Sequence, residues 1–294
     1  SREFVPQKQL EDWKKEGVVE IVPLAFMRGR AQPLDADVLT PTGYKKMSDL
    51  SVGDLVMDDS GSPTKITGIF PQGIKDVYKV TFSDGSFTEC TEDHLWSTET
   101  RSEHKHKKGF SVKTLKQIKE KIKVSHQNQN NHRIPLTLPV KFKKRDLEID
   151  PYLLGVLLGD GSISIGSVKF SNIDKELVEI IKTSSTNKYK ITKTKNDNKN
   201  DYEFSKLANS KSPTIIKQLK KLGLYGLKSN NKFVPNDYLY SCIEDRLEIL
   251  RSLMDTDGCV FKDKNNYRIQ YYSTSKTLAE NVQFLVESLG GTAI

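Results

Sequence analysis

Apolar positions in this chain follow two periods, helical in the second half and strand-like in the first. Leu153 to Gly161 (LLGVLLGDG) and Leu250 to Gly258 (LRSLMDTDG) are apolar runs of helical character, each closed by Asp-Gly and 97 positions apart. One such run is how an ordinary core helix stops; two in matching surroundings need a common cause. After the first, residues 162–170 alternate as a hairpin, and SNIDKELVEIIK predicts an amphipathic helix from about Asn172. After the second, 259–272 read as a hairpin around a DKNN turn, and STSKTLAENVQFLVES predicts another helix. Helix, acid, hairpin and helix therefore recur in one order, an internal repeat of roughly 100 residues.

Upstream the period shortens to two. Residues 33–56 predict strands at 37–40 and 45–50 separated by a Pro-Thr-Gly turn, and ITGIF, DVYKVTF and SFTEC continue an all-β module. From His104 to Lys123 there are eight lysines and one glutamate, which makes this a solvated face or, beside a DNA-acting domain, an extended phosphate footprint. Within it SVKTLKQIKEKI predicts a helix with Leu115, Ile118 and Ile122 inward, and QNQNNH a loop. His104 and His106 have no Cys or His partners at zinc spacing. The first 32 residues are too short to bury a core alone, with a helix expected at 10–16 and a strand in VVEIVP.

The two Asp-Gly runs resemble the motifs of the LAGLIDADG homing endonucleases. The resemblance implies an α+β, two-repeat endonuclease over 148–294, a monomeric pseudo-dimer whose motif helices pack along a pseudo-two-fold axis. Small residues there, here Gly155, Gly159 and Ser252, would allow close approach. It implies that Asp160 and Asp257 bind Mg²⁺ and are catalytic in cutting both strands of double-stranded DNA. Asp255 is a weaker candidate, because Leu158 occupies the corresponding place in the first motif. KSNNKFVP (228–235) ends in Lys-x-x-Pro and resembles the family segment that supplies a catalytic-site lysine, which makes Lys232 the third expected catalytic residue. NKYKITKTK (187–195) reads as a hairpin strand with a cationic face, Lys188, Lys190, Lys193 and Lys195 meeting phosphates. YRIQYYS places Arg268, Gln270 and Tyr272 on one face for base contacts.

Pro33 to Val56 and GSFTECTEDHLW (85–96) resemble the N-terminal splicing region of an intein, which implies a β-rich Hint-type module over 33–100, with 101–147 as a basic joint. Thr91 and His94 fall on its Thr-x-x-His motif; His94 is expected to protonate the departing nitrogen while Thr91 fixes the amide. The first residue should be Cys or Ser, but matching the motif Asp to Asp37 puts Pro33 there, which closes an N-to-S or N-to-O acyl shift. Either splicing is lost, or the chain is similar to inteins that lack a first-residue nucleophile and use an internal Cys. That subgroup carries a Trp two residues after the motif His, and Trp96 matches it, with Gln32–Pro33 as the scissile bond. None of Cys90, Cys242 and Cys259 fits the attacking thiol. The sequence stops inside the second repeat, before the expected second cationic hairpin and the C-terminal splicing motifs. It therefore reads as an incomplete product or as part of a split intein that needs a C-terminal fragment. VEIVPLAFMRGR (19–30) resembles a segment of PhoH-like ATPases, so 1–32 are expected to be the host extein in cis.

Composition adds less. Lys plus Arg number 46 against 38 acidic residues, a net charge of +8 with pI near 9.1, which fits a polyanionic partner. No apolar span suggests a membrane segment, and three cysteines fit a reducing, intracellular compartment such as the cytoplasm. The competing functional reading is a nuclease-dead DNA-binding or passenger insert in an ATP-binding host.

Overall fold

The computed structural model describes residues 18–23, 32–124, 129–163, 166–185, 188–194, 200–208, 213–263 and 266–294. Two compact units divide it, one running to Lys141 and the other spanning Phe142–Ala293.

In the first unit the long strand β6 (Pro63–Gly73) pairs on one side with β1 (Val18–Pro23) and on the other with β5 (Leu55–Met57). Strand β2 (Gln32–Pro33) extends the sheet beyond β1. Thr64 and Ile66 point inward from β6, then the alternation slips and Ile69 is the next buried position. The β1–β6 register shifts over the same stretch, at Val22 and Pro23. A bulge there lets both isoleucines reach one face.

β3 (Asp37–Thr40) and β4 (Gly43–Lys46) form a hairpin. The strand expected over 45–50 ends at Lys46 instead, and Met47–Asp49 make a 3₁₀ turn. Met47 and Leu50 are three apart and both belong to the small core with Val56, Ile66 and Ile69. A strand would send them to opposite faces, whereas three residues per turn brings them to one.

β7 (Val77–Thr81) pairs with β8 (Phe87–Thr91), and β9 (Leu95–Thr100) lies between β10 (Ser111–Thr114) and β11 (His132–Arg133). The 111–122 segment is thus half strand. Helix α2 (Leu115–Glu120) begins only where Thr114 and Gln117 form a capping box; α1 (Arg101–Lys105) begins with the same device, Thr100 and Glu103. Leu115 is buried but Ile122 is half exposed, and His132, expected in a loop, opens β11.

The His132 ring lies beside Thr98 Oγ1, 3.2 Å from Nδ1; burial, then the charge of Lys113, holds its pKa below the ordinary 6.5, against Glu103. The unfolded chain therefore takes up the proton first, so His132's contribution to stability is complete above pH 6.5 and lost as pH falls below it. Thermal unfolding of the full chain should show a loss on acidification through this range that His132→Gln flattens.

The second unit begins six residues before the expected 148, because Phe142 stacks edge-on with Tyr240 (5.5 Å) and under the Arg246 guanidinium (4.9 Å). Helix α3 (Pro151–Gly159) starts with Pro at its first turn and Asp150 accepting from Leu153 N–H. Every residue from Tyr152 to Leu158 is buried, as the all-round apolar run requires. Around it lie α4 (Lys175–Ser185), α5 (Ile215–Lys221), the short α6 (Asn236–Leu239), α7 (Ile243–Asp257) and α8 (Lys276–Ser288).

One sheet has the order β12-β13-β15-β14 (Gly161–Ser162, Lys169–Ser171, Asp201–Lys206, Tyr189–Lys193), and β16 (Gly258–Asp263) pairs with β17 (Asn266–Tyr271). Helix, hairpin and helix do recur: α3, β12–β13, α4, and α7, β16–β17, α8. α4 starts at Lys175 rather than near Asn172, whose side chain is otherwise engaged.

Candidate active site

Helices α3 and α7 touch through glycine. A Cβ on Gly155 would sit 1.7 Å from Ser252 Oγ, and one on Gly159 would sit 2.1 Å from Thr256 Oγ1 and 3.1 Å from Asp257 Oδ2. Gly155→Ala should cost about 1–3 kcal/mol by overpacking, read as a lower urea midpoint. Adding Ser252→Gly should recover part of it, since the Ile249 carbonyl remains 3.0 Å away.

The helices end alike. Asp160 caps α3, and Asp257 is the last residue of α7. The next residue must be glycine in both, since a Cβ on Gly161 would meet Leu157 O at 2.2 Å and one on Gly258 would meet Met254 O at 2.4 Å. Asp-Gly is therefore the joint by which each strand leaves its helix. Gly161 then faces Phe170 and Gly258 faces Tyr271 across their hairpins. The Asp160 carbonyl accepts from Ser171 N–H (3.4 Å) and that of Asp257 from Tyr272 N–H (3.1 Å).

Three effects oppose negative charge here: burial, mutual repulsion and the negative ends of two helix dipoles. Burial raises the pKa of both acids; for Asp257 the charge of Asp160 raises it further, while Lys232 acts in the opposite sense on each. Asn172 donates to Asp160 Oδ2 at 2.5 Å, whereas the Asp257 carboxylate accepts no hydrogen bond among the described residues. Nothing in the alternation around Asn172 marked it as a partner of the acid; it looked like a residue of the coming helix.

Lys232 is 3 % exposed. Its ammonium donates to the carbonyls of Leu157 (3.1 Å), Leu158 (2.8 Å) and Gly161 (2.7 Å), with Gly159 O at 3.4 Å. The lysine thus satisfies the last carbonyls of α3 from a side-chain cation. Burial depresses its pKa to about 8 in spite of the two acids. The backbone holds it in turn, Ser275 Oγ donating to Lys232 O at 2.6 Å while capping α8.

Asp255 points elsewhere, accepting from Tyr152 Oη (2.8 Å) with Arg251 Nε 3.8 Å away, and so ties α3 to α7. Tyr271 stands beside Asp257: its hydroxyl is buried, makes no hydrogen bond of ordinary geometry among the described residues although Ser273 is near, and is pushed up by burial and then by the Asp257 charge.

The donor set suits a hard divalent cation. Two carboxylates are brought to one place under repulsion that a cation would relieve, and no third His, Cys, Asp or Glu completes a metal group among the described residues. That is the set Mg²⁺ uses when water and substrate phosphates fill its other positions.

Of the expected DNA-contacting residues, Lys188, Lys190 and Lys193 are exposed, and Lys195 lies outside the described residues. The face is not purely cationic. Lys190 and Thr192 share it, but the partner of Thr192 is Glu203, which also pairs with Lys169. Lys193 has the opposite parity and leaves this face. Arg268 and Tyr272 are exposed and Gln270 is half-buried, with Tyr272 Oη donating to Gln270 Oε1 at 2.7 Å.

In the first unit, Gln32 and Pro33 form β2, which lies against β8, the strand ending in Cys90 and Thr91. Thr91 is buried and its hydroxyl has no partner among the described residues; the buried Trp96 Nε1 makes no hydrogen bond of ordinary geometry among them, although Cys90 is near. The rings of His94 and Trp96 meet edge-on at 5.3 Å. Burial pushes the Cys90 thiol up to about 11, the wrong direction for a nucleophile.

Residues 244–293 match the LAGLIDADG-like domain family. The match starts in α7 and runs through α8, so it carries Asp257. The chain is 27% identical over 278 residues to the replicative DNA helicase DnaB of Mycobacterium intracellulare, covering 89% of this chain and 43% of that protein. It is 39% identical over 88 residues to DnaB of Synechocystis, 29% of this chain and 10% of that one. The chain thus spans less than half the length of these curated relatives. They are named as DnaB and not as PhoH-like ATPases, so they give no support to the host read from Val19 to Arg30.

Among solved structures, the chain resembles a gp41-1 intein (25% identity, TM-score 0.23, 33% of this chain and 59% of that one). It also resembles the N-terminal LAGLIDADG domain of DUF199/WhiA (10%, TM-score 0.29, 48% and 64%). No helix among the described residues is long and apolar enough to cross a membrane.

Proposed function

We propose that residues 142–293 are a metal-dependent DNA endonuclease that cuts both strands of a duplex target, and that residues 33–141 belong to the intein carrying it. The observation that carries the nuclease reading is the pairing of Asp160 and Asp257 at the ends of two interlocked helices, under repulsion that neither side chain relieves by a direct ion pair. Asp160 and Asp257 would hold the cation, and Mg²⁺ bound there would neutralise phosphate charge and activate water for in-line attack. Lys232 fixes the end of α3 beneath the acids and keeps a positive charge near them; it is a positioning residue. Asn172 orients Asp160. Arg268, Gln270 and Lys190 supply contacts for DNA.

For the splicing module, the partnerless Thr91 hydroxyl and the His94–Trp96 pair support an assignment of Gln32–Pro33 as the bond acted on. Thr91 would fix the amide while a thiol that this chain does not supply adds to the Gln32 carbonyl carbon and takes the acyl group, and His94 would protonate the Pro33 nitrogen as it leaves. Pro33 has no side-chain nucleophile, and Cys90 is too buried to serve as the attacking thiol.

The nuclease reading is tested by incubating the full chain with a plasmid library of randomised inserts and Mg²⁺, then sequencing linearised products. A recurrent cleaved site that disappears with EDTA supports it. A duplex retained in a gel shift, with neither nick nor linear product, sinks it in favour of a DNA-binding insert.

A further inference from the structure

Glu103 anchors the start of α1 completely. Its carboxylate accepts from Thr100 N–H (2.6 Å) and Thr100 Oγ1 (2.8 Å), and the same carboxylate is gripped by Lys113 Nζ at 2.8 and 2.9 Å. The other acid beside this element, Glu99, is buried and engaged by Arg133. Both local carboxylates are therefore spent. What they leave is the turn closing α1, where Lys105, Lys107 and Lys108 are all exposed and make no hydrogen bond or ion pair through their side chains among the described residues.

The turn is built at a backbone cost. Lys107 has φ +54°, the one non-glycine residue in the left-handed region among the described residues. Its N–H donates to His104 O and that of Lys108 to Glu103 O, so the conformation is held by the helix end itself. Glycine would occupy this position with less strain. A lysine there adds a third exposed ammonium to those of Lys105 and Lys108 on a backbone turn that is fixed.

Clustered lysines whose neighbouring carboxylates are engaged elsewhere suit the even charge of a phosphate backbone, and their contacts carry no sequence information; Phe110 and Val112 are exposed just past the turn. We propose that this knuckle, Lys105 to Lys108, is a second nucleic-acid contact, on the first unit, that grips the backbone of duplex DNA without reading its sequence. The choice of DNA as the polyanion rests on the endonuclease reading; the charge geometry does not.

The test is fluorescence anisotropy of the full chain on a labelled random-sequence duplex, in metal-free buffer over a range of KCl. Converting Lys105, Lys107 and Lys108 together to Ala should lower the slope of log affinity against log salt by about 2–3. The three Arg replacements should keep it. Lys107→Gly should separate the two roles, raising the thermal midpoint because it relieves the strained backbone while lowering the slope by about 1.

An unchanged slope in the Ala variant, with wild type binding and cutting DNA, overturns the knuckle alone. A slope that falls as expected in a chain that never cuts DNA keeps the knuckle and removes the nuclease. Equal loss of binding to polyglutamate or to anionic vesicles, with none to the duplex, assigns the turn to another partner and overturns the proposal.

Discussion

Asp160→Asn and Asp257→Asn should each abolish double-strand cleavage in Mg²⁺ while leaving the protein at least as stable as the parent. The kinetic half of this result follows from the donor set. With two carboxylates and no third acidic, His or Cys ligand among the described residues, losing either halves the charge that can hold the cation. Loss of about 4 kcal/mol of transition-state stabilisation, about 10³-fold in rate, is the scale expected. The stability half has the opposite sign. Both side chains carry charge that burial disfavours, at the negative ends of helices and near one another, and an amide of the same shape removes all three penalties. An inactive variant with an unchanged or higher thermal midpoint is the signature. If the activity were lost together with a lower midpoint, the acids would be structural and the site assignment wrong.

The two variants should also differ from each other. Asn172 donates to Asp160, and its amide would meet either the oxygen or the nitrogen of the side-chain amide that Asp160→Asn introduces, whereas Asp257 has no such neighbour among the described residues. Removing the Asn172 amide by Asn172→Ala is accordingly the softer perturbation of the first half, and supercoiled plasmid should reveal it as accumulation of the nicked form.

The acid pair was legible in the sequence because two Asp-Gly steps at equivalent places needed one explanation. The structure supplies it in the Leu157 and Met254 carbonyls, which leave no space for a side chain after either acid. The repeat of helix, hairpin and helix was legible for the same reason, since period fixes which face of each element is buried. What stayed hidden was three-dimensional pairing. Glu203 spoils the cationic face of the first sheet because it lies across from Thr192, and a reading along one strand never meets its partner. Ser111 to Thr114 form a strand where the run predicts helix, because Ser-Val-Lys-Thr suits either period and pairing with β9 decides between them. Asp255 is the weaker candidate in the sequence for want of an acidic counterpart, and what a single helix cannot show is Tyr152 bonded to it from the neighbouring one. The sequence offers Lys232 as a catalytic lysine, but its burial is not legible there, because nothing in a Lys-x-x-Pro segment shows that four carbonyls surround the ammonium.

That burial sets the second large effect. Lys232→Met should cost about 3–5 kcal/mol of stability, far more than loss of an exposed catalytic cation would. Methionine matches the length of the aliphatic stem but offers no donor, so the carbonyls of Leu157, Leu158 and Gly161 lose their side-chain partner in a site closed to solvent. The two acids meanwhile lose the one cation acting on both. The contributions can be separated by placing Lys232→Met in the Asp160→Asn, Asp257→Asn background, where no acid remains to repel. If carbonyl capping dominates, the cost measured from urea midpoints should be nearly the same in both backgrounds. If neutralisation of the acids dominates, it should shrink by about 1–3 kcal/mol, the usual size of coupling between neighbours. Lys232→Arg should not rescue, because the larger planar guanidinium has to enter a space closed around one ammonium. A Lys232→Met protein with the parent's urea midpoint and no cleavage would return the lysine to the reaction itself, as a group that touches substrate rather than one that holds the end of α3 in place.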